Sequence, residues 1–255
     1  MHVEHRQTDR CDPGDPGTCR PQAGDRGLSG RVQRAAVHPH FGKSRVGRIV
    51  TIRSIWREGG RNVVEIRIET PRLILRPWGE EDIAQLTLGL NDLDVAKWLA
   101  FVPHPYSTSD AESWIRRCQE IANAGNRPIA YEFAIELKSE RLVIGGVSLN
   151  KIDWSGGTAG GGIWIASPYQ GRGYGREAFE AKIRFAFSDL GLTRLVNGYL
   201  DGNENSWAMQ SKLGYRRVSE VASRRMADGR QTIEHVTMLL RSDWQEYGKQ
   251  TPSRP

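Results

Sequence analysis

Residues 160–190 read GGGIWIASPYQGRGYGREAFEAKIRFAFSDL, and three kinds of local structure follow one another in them. Ile163, Trp164 and Ile165 are a short apolar, β-prone run of the kind that makes a buried strand. Pro168 to Gly175 is polar and punctuated by glycines at 171, 173 and 175. Phe179, Ile183, Ala186, Phe187 and Leu190 then recur at the spacing of one face of an amphipathic helix. The pattern predicts strand, glycine loop, helix. Such a loop aims several unpaired backbone N–H groups at one point, with the positive end of the helix dipole behind them. That point suits a phosphate or pyrophosphate. Glycines there let an anion approach without meeting a Cβ.

Two common phosphate loops do not fit. A Walker loop ends in Gly-Lys-Ser/Thr, whereas Gly175 is followed by Arg176 and Glu177. A dinucleotide fingerprint needs G-x-G-x-x-G after an early strand, and this is G-x-G-x-G late in the chain. A plain glycine-rich turn before a helix would also read this way, so the flanking chain has to decide.

Composition narrows the classes. The chain has 255 residues, 26% of them charged, and no long apolar run, which excludes a transmembrane helix and predicts a cytoplasmic protein without membrane attachment. Three cysteines, two of them near the N-terminus, make no disulfide framework. Cys118 sits on an apolar helical face and is expected in the core. The net charge of +6 is unevenly spread: residues 1–65 carry 12 Lys/Arg against 7 Asp/Glu, and residues 66–255 carry 24 against 23. The near-neutral remainder argues against a nucleic-acid-binding face.

Residues 1–65 lack sustained periodicity and are read as a disordered basic extension. Translation from an upstream start would also account for them, with the natural protein then beginning near Val63 or Val64. Ile49 to Trp56 is strand-like but has no evident partner. His38, His40, Cys11 and Cys19 match no zinc spacing, so no metal is expected. The folded pattern starts at Ile66, with strand-like residues Ile66, Ile68, Leu73 and Leu75 up to Pro77. Helices are predicted from Glu80 through Leu90, from Asp92 to Leu99, and after a capping box at Ser109–Glu112. Alternation over Ile129–Leu137, and the return over Leu142–Ile152, predict a hairpin. Gly145-Gly146 inside it marks a bulge or a close backbone approach. Beyond the glycine loop come a strand over Thr193–Leu200, a helix over Ser206–Leu213 stopped by Gly214, and two final strands. The domain is read as 66–247, with 248–255 a flexible tail.

Gln170-Gly171-Arg172-Gly173-Tyr174-Gly175 resembles the Gln/Arg-x-x-Gly-x-Gly/Ala signature of the GNAT acetyltransferase superfamily. Thr70-Pro71-Arg72-Leu73-Ile74-Leu75-Arg76-Pro77 is similar to the opening strand of its RimJ/RimL-type branch. Asn203, Ser206 and Lys212-Leu213-Gly214-Tyr215 match that branch's later motif, and Trp244 its closing Trp. The resemblance implies an α/β (α+β) fold, a mixed twisted sheet with helices on both faces. It implies acetyl transfer from acetyl-coenzyme A to an amine by direct attack, with no metal. Gln170 to Gly175, with Arg176, would hold the pyrophosphate. Backbone groups of Trp164, Ile165 and Ala166 would orient the acyl group, and Asn203 would meet the pantetheine arm. Ser206 would assist the departing thiolate; a helix-cap role is the alternative for it.

One expected residue is missing. Where the branch commonly has a Glu, a candidate general base, this chain has Gly160. Glu132, Glu136 and Asp153 lie on nearby predicted strands, and the sequence selects none of them. An α-amine (pKa ~8) is partly free at neutral pH, whereas a lysine amine (~10.4) is free about once in a thousand. A weak base therefore favours a peptide N-terminus or a low-pKa small amine, acted on by a monomer or homodimer. A coenzyme A-binding or regulatory module that has lost the chemistry is the alternative.

Overall fold

The computed structural model describes residues 49–57, 61–124, 127–226 and 231–244, with side chains from residue 66 on except 222–225. Among the described residues ten strands pair into an open sheet in the order β1-β2-β3-β4-β5-β6-β8-β10-β9, with β7 pairing β5 beside β6. They are β1 (Ile49–Arg57), β2 (Arg61–Glu69), β3 (Leu73–Pro77), β4 (Tyr131–Leu137), β5 (Leu142–Asp153), β6 (Thr158–Gly160), β7 (Ile163–Ile165), β8 (Arg194–Leu200), β9 (Arg216–Arg225) and β10 (Gln231–Leu240). Helices α1 (Ile83–Leu90), α2 (Leu93–Ala96) and α3 (Thr108–Ala122) fill the connection from β3 to β4. Helix α4 (Tyr174–Arg184) follows the glycine loop and ends in a π-helical turn, Phe185–Asp189. Helix α5 (Glu204–Lys212) joins β8 to β9.

Strand alternation sends successive side chains to two separate cores. Leu73, Leu75, Phe133, Ile135 and Ile144 join Phe179, Ile183, Phe185 and Phe187 of the α4 side. Ala134 and Val143 join Leu86, Leu90, Ile115 and Cys118 of the α1–α3 side. The second core is tied to the sheet by Arg76, which donates to Glu136 at 2.6 Å and to both Asp82 oxygens at 2.7 and 2.8 Å. Three charge-assisted bonds keep this half-buried cation compensated.

The strand Ile49–Trp56 does have a partner, contrary to the sequence reading. Strands β1 and β2 pair antiparallel from Ile49↔Glu69 to Arg57↔Arg61, so the sheet begins ahead of Ile66. In the sequence, Gly59-Gly60 is a turn signal between the two runs. Residues 1–48 and 248–255 lie outside the described residues. The capping box of α3 also moves: Ser107 Oγ accepts from Asp110 N at 3.2 Å, and Asp110 accepts from Ser107 N at 2.9 Å. Ser109 is therefore inside the helix, because capping is decided by which residue turns extended and Ser107 does so.

The sheet splits where β6 gives way to β7. Strand β6 pairs parallel with β8 at Thr158↔Arg194 and Ala159↔Leu195. Three residues on, β7 pairs only with β5, through Gly145↔Ile165, Gly146↔Trp164 and Val147↔Ile163. A Cβ on Gly145 would stand 2.3 Å from the Trp164 carbonyl oxygen, and one on Gly146 2.7 Å from its indole Nε1. The two glycines let β7 lean against β5 and away from β8. A wedge opens between β7 and β8.

Candidate active site

The wedge is the inner end of a cleft of about 870 Å³, lined by β7, the glycine loop, β8, the first turns of α5 and the segment 94–102. At one end Gly171 (φ 72°) and Gly173 (φ 80°) take the left-handed conformation that favours glycine. Gly173 is the N-cap of α4 and offers no side chain to the first turn. The N–H groups of Tyr174 and Gly175 are thus left for a ligand. Nothing lies within 4 Å of a Cβ built on Gly171, and a Cβ on Gly175 would make ordinary contacts with Ile165 Cγ1 at 3.5 Å and Met209 Sδ at 3.9 Å. This is an open, positively polarised cradle.

The loop is held by residues from the far side of the sequence. Glu177, in the first turn of α4, accepts from Thr70 Oγ1 at 2.6 Å, from Arg72 N at 2.9 Å and from Arg72 Nε at 2.6 Å. Arg72 Nη1 also donates to the Arg172 carbonyl at 3.0 Å, and its guanidinium lies 4.5 Å from the Tyr174 ring centre. Thr70 and Arg72 therefore clamp the cradle, a role that the sequence match did not reveal. Gln170 Nε2 donates to the Ile165 carbonyl at 2.8 Å, so Gln170 fastens the loop to β7 rather than reaching outward. Arg172 lies over Tyr169, and Arg176 lines the cleft.

The register of β7 decides which amides face the wedge. Ser148 N donates to the Gly162 carbonyl and Ala166 N to the Ile144 carbonyl, each at 2.9 Å. With Trp164 opposite Gly146, the bonded positions are 162, 164 and 166. The N–H groups of Ile163 and Ile165 point to the other edge, into the wedge. Of the three expected positions, Ile165 alone presents its amide there; Trp164 and Ala166 are committed to β5, because alternate residues of a strand bond to opposite sides.

Across the wedge, Asn203 caps α5 by accepting from Ser206 N at 3.1 Å. Ser206 is not the cap. Its hydroxyl oxygen accepts from Gln210 Nε2 at 3.1 Å. On β8, the buried Asn197 lines the cleft with its side-chain oxygen unpaired. That acceptor suits an amide N–H entering along the strand. Among the described residues, no cluster of three or more His, Cys, Asp or Glu side chains is placed to hold a metal ion.

A model of the acetyltransferase (GNAT) domain matches residues 72–216, more than half of the chain. The chain belongs to the GNAT acetyltransferase family. It is 25% identical to a proposed ribosomal N-acetyltransferase, YdaF of Bacillus subtilis (strain 168), over 68% of this chain and 91% of that one. Among solved structures, a proposed ribosomal-protein-serine acetyltransferase from Vibrio cholerae is 27% identical, with a TM-score of 0.58 over 68% of this chain and 97% of that one. The microcin C7 self-immunity acetyltransferase MccE, solved with acetyl-CoA and AMP, shares the fold at 21% identity and a TM-score of 0.59, over 67% and 93%. The RimJ/RimL-like resemblance agrees with the ribosomal names. As a GNAT enzyme the protein is an acetyl-CoA-dependent acyltransferase. The cradle amides, the free Asn197 acceptor and the open wedge fit such a cosubstrate.

Three carboxylates compete for the place left by Gly160 in this GNAT site. Glu136 is bonded to Arg76. Asp153 is exposed and closes its own turn, accepting from Ser155 and Gly156. Glu132 is mostly buried, and burial pushes its carboxyl up to about 7, against the pull of the Asn150 amide and the Arg117 and Lys182 cations. It stands opposite Ser148 in the β4–β5 register, and Ser148 Oγ accepts from Asn150 Nδ2 at 3.3 Å and from Gly162 N at 2.9 Å. Asn150 and Gly162 line the cleft. A polar row thus runs from Glu132 to the wedge. No helix among the described residues is long and apolar enough to cross a membrane.

Proposed function

We propose that the enzyme acetylates a primary amine of low pKa, a peptide N-terminus or a small-molecule amine, by direct attack on acetyl-CoA. The observation that carries this reading is the wedge itself, where two inward amides on β7 face the Ser206 hydroxyl on α5 and the α4 cradle closes one end. The cradle amides of the loop Gly171 to Arg176, which Gln170 fastens to β7, hold the pyrophosphate, and Asn197 and Asn203 border the pantetheine arm. The amide of Ile165, with that of Ile163, stabilises the charge that develops on the acyl oxygen. The amine nitrogen forms the N–C bond while the C–S bond breaks with its electron pair on sulfur. Ser206 donates a hydrogen bond to that sulfur. The surplus ammonium proton leaves along the polar row to Glu132, whose raised pKa matches a general base working near neutrality. An α-amine asks little of such a base, since it is partly free already.

The test is release of free coenzyme A thiol from acetyl-CoA across a panel of peptides, small amines and lysine-bearing proteins. Turnover confined to α-amines and low-pKa amines is expected. Preferential turnover of lysine side chains overturns the substrate class. Tight acetyl-CoA binding without turnover of any amine makes the protein a binding module instead.

A further inference from the structure

We infer that Gln210 is a positioning residue whose amide, anchored by Thr237 and the Gly198 carbonyl, fixes the direction of the Ser206 hydroxyl. The inference rests on the thiolate-assisting role of Ser206 proposed above.

A serine hydroxyl rotates freely, with one hydrogen to give and two lone pairs to receive. A freely turning hydroxyl spends much of its time aimed elsewhere. Ser206 is not free. Gln210 sits one turn further along α5 and is almost fully buried, as is Thr237 on β10. Thr237 Oγ1 donates to Gln210 Oε1 at 2.6 Å. Gln210 Nε2 then donates to Ser206 Oγ at 3.1 Å and lies 3.4 Å from the Gly198 carbonyl oxygen.

The amide orientation follows from the Gly198 contact, because a carbonyl can only accept. Were the amide turned over, two oxygens would face each other at Gly198. With nitrogen on that side, Ser206 Oγ receives a hydrogen from Gln210 and has to send its own O–H away from it. Ser206 and Gly198 both line the cleft, on its α5 and β8 sides. The donor is therefore aimed at the wedge, where the sulfur departs. The relay moves no proton of its own: Thr237 and Gln210 keep theirs, and Ser206 lends its hydrogen to the thiolate.

The experiment removes both buried side-chain partners of the relay together, and the Gly198 carbonyl it releases lines the cleft. Gln210→Met with Thr237→Val replaces both partners by apolar groups of similar shape, a change that is close to neutral for folding. We expect kcat to fall about tenfold to a hundredfold, at or below the lower end of general-acid help because a thiolate is a good leaving group, with acetyl-CoA affinity unchanged by calorimetry. Adding Ser206→Ala to this pair should cost nothing more, since both changes remove one interaction. A full, multiplicative further loss overturns the inference, as does an unchanged kcat in the Gln210/Thr237 pair when Ser206→Ala alone lowers it. If Ser206→Ala alone leaves kcat unchanged, the role of Ser206 falls first and the relay with it. Gln210→Glu gives an independent readout. Its ionised carboxylate accepts the Ser206 hydrogen and draws it from the sulfur; the protonated form donates as the amide does. The kcat of this variant relative to wild type should thus fall as pH rises, and a pH-independent ratio overturns the inference.

Discussion

Glu132→Gln keeps the shape of the side chain and removes its charge, so it isolates what the carboxylate does. For an acceptor with a pKa of about 8, the wild-type log kcat/KM should climb with a slope of two below about pH 7, where Glu132 and the amine both lose protons. Between there and about pH 8 the slope should be one, and above it the profile levels. In the variant one ionisation disappears and the slope should be one throughout the acid limb. General-base help is worth about 10²–10⁴-fold. An α-amine gives up its proton readily, so a loss near 100-fold at the plateau is expected. Stability should move the other way. The folded state holds this proton from 4.5 up to about 7, so ionisation penalises the fold increasingly across that window and fully above it. Removing the charge should therefore add up to about 3 kcal/mol at pH 8. Thiol release and thermal melting on one preparation measure both. A variant that keeps the slope of two, or the wild-type plateau, refutes the assignment of Glu132 as base.

Gly173→Ala forces a Cβ into a left-handed turn and should weaken acetyl-CoA binding in calorimetric titration, at a backbone cost of about 1–2 kcal/mol. Gly175→Ala has room in the protein, so any loss of affinity there with an unchanged melting temperature reports a clash with ligand alone. Glu177→Ala unties Thr70 and Arg72 from α4; a loss of about 1–3 kcal/mol in denaturant unfolding and a weaker acetyl-CoA Kd should appear together. Lys182 is fully buried against Phe179, with its amine unpaired, and burial lowers its pKa from 10.5 to about 7. Wild-type stability should thus rise from about pH 7 toward 10.5 as the unfolded chain gives up the same proton. Lys182→Met should stabilise the protein by several kcal/mol, up to about 5 at or below neutral pH, and flatten that dependence.

Local periodicity is short-ranged, and what it governs was legible. The run Ile163–Ile165, the glycines at 171 and 173 and the apolar face of α4 specify strand, loop and helix from neighbouring residues alone. The hairpin of β4 and β5, the α5 stop at Gly214 and the close approach at Gly145-Gly146 were readable for the same reason. Thr70 and Arg72 were visible as a motif, but not their work, since Glu177 stands 107 residues beyond Thr70. The β1–β2 pairing rests on Gly59-Gly60 joining two strand-like runs, and neither run by itself names its partner.

The chemistry was decided elsewhere. Whether Trp164 or Ile165 offers its amide to the wedge depends on the register against β5 and on the splay from β8. Ser206 is not the cap because Asn203 took that place, and Gln210 took a lone pair of its hydroxyl. Glu136 lost its availability to Arg76, Asp153 to its own turn, and Glu132 kept its carboxyl near neutrality under burial. A sequence states which groups can donate, accept or ionise. Only the packing of distant strands states which are already spent, because each hydrogen and each lone pair is used once.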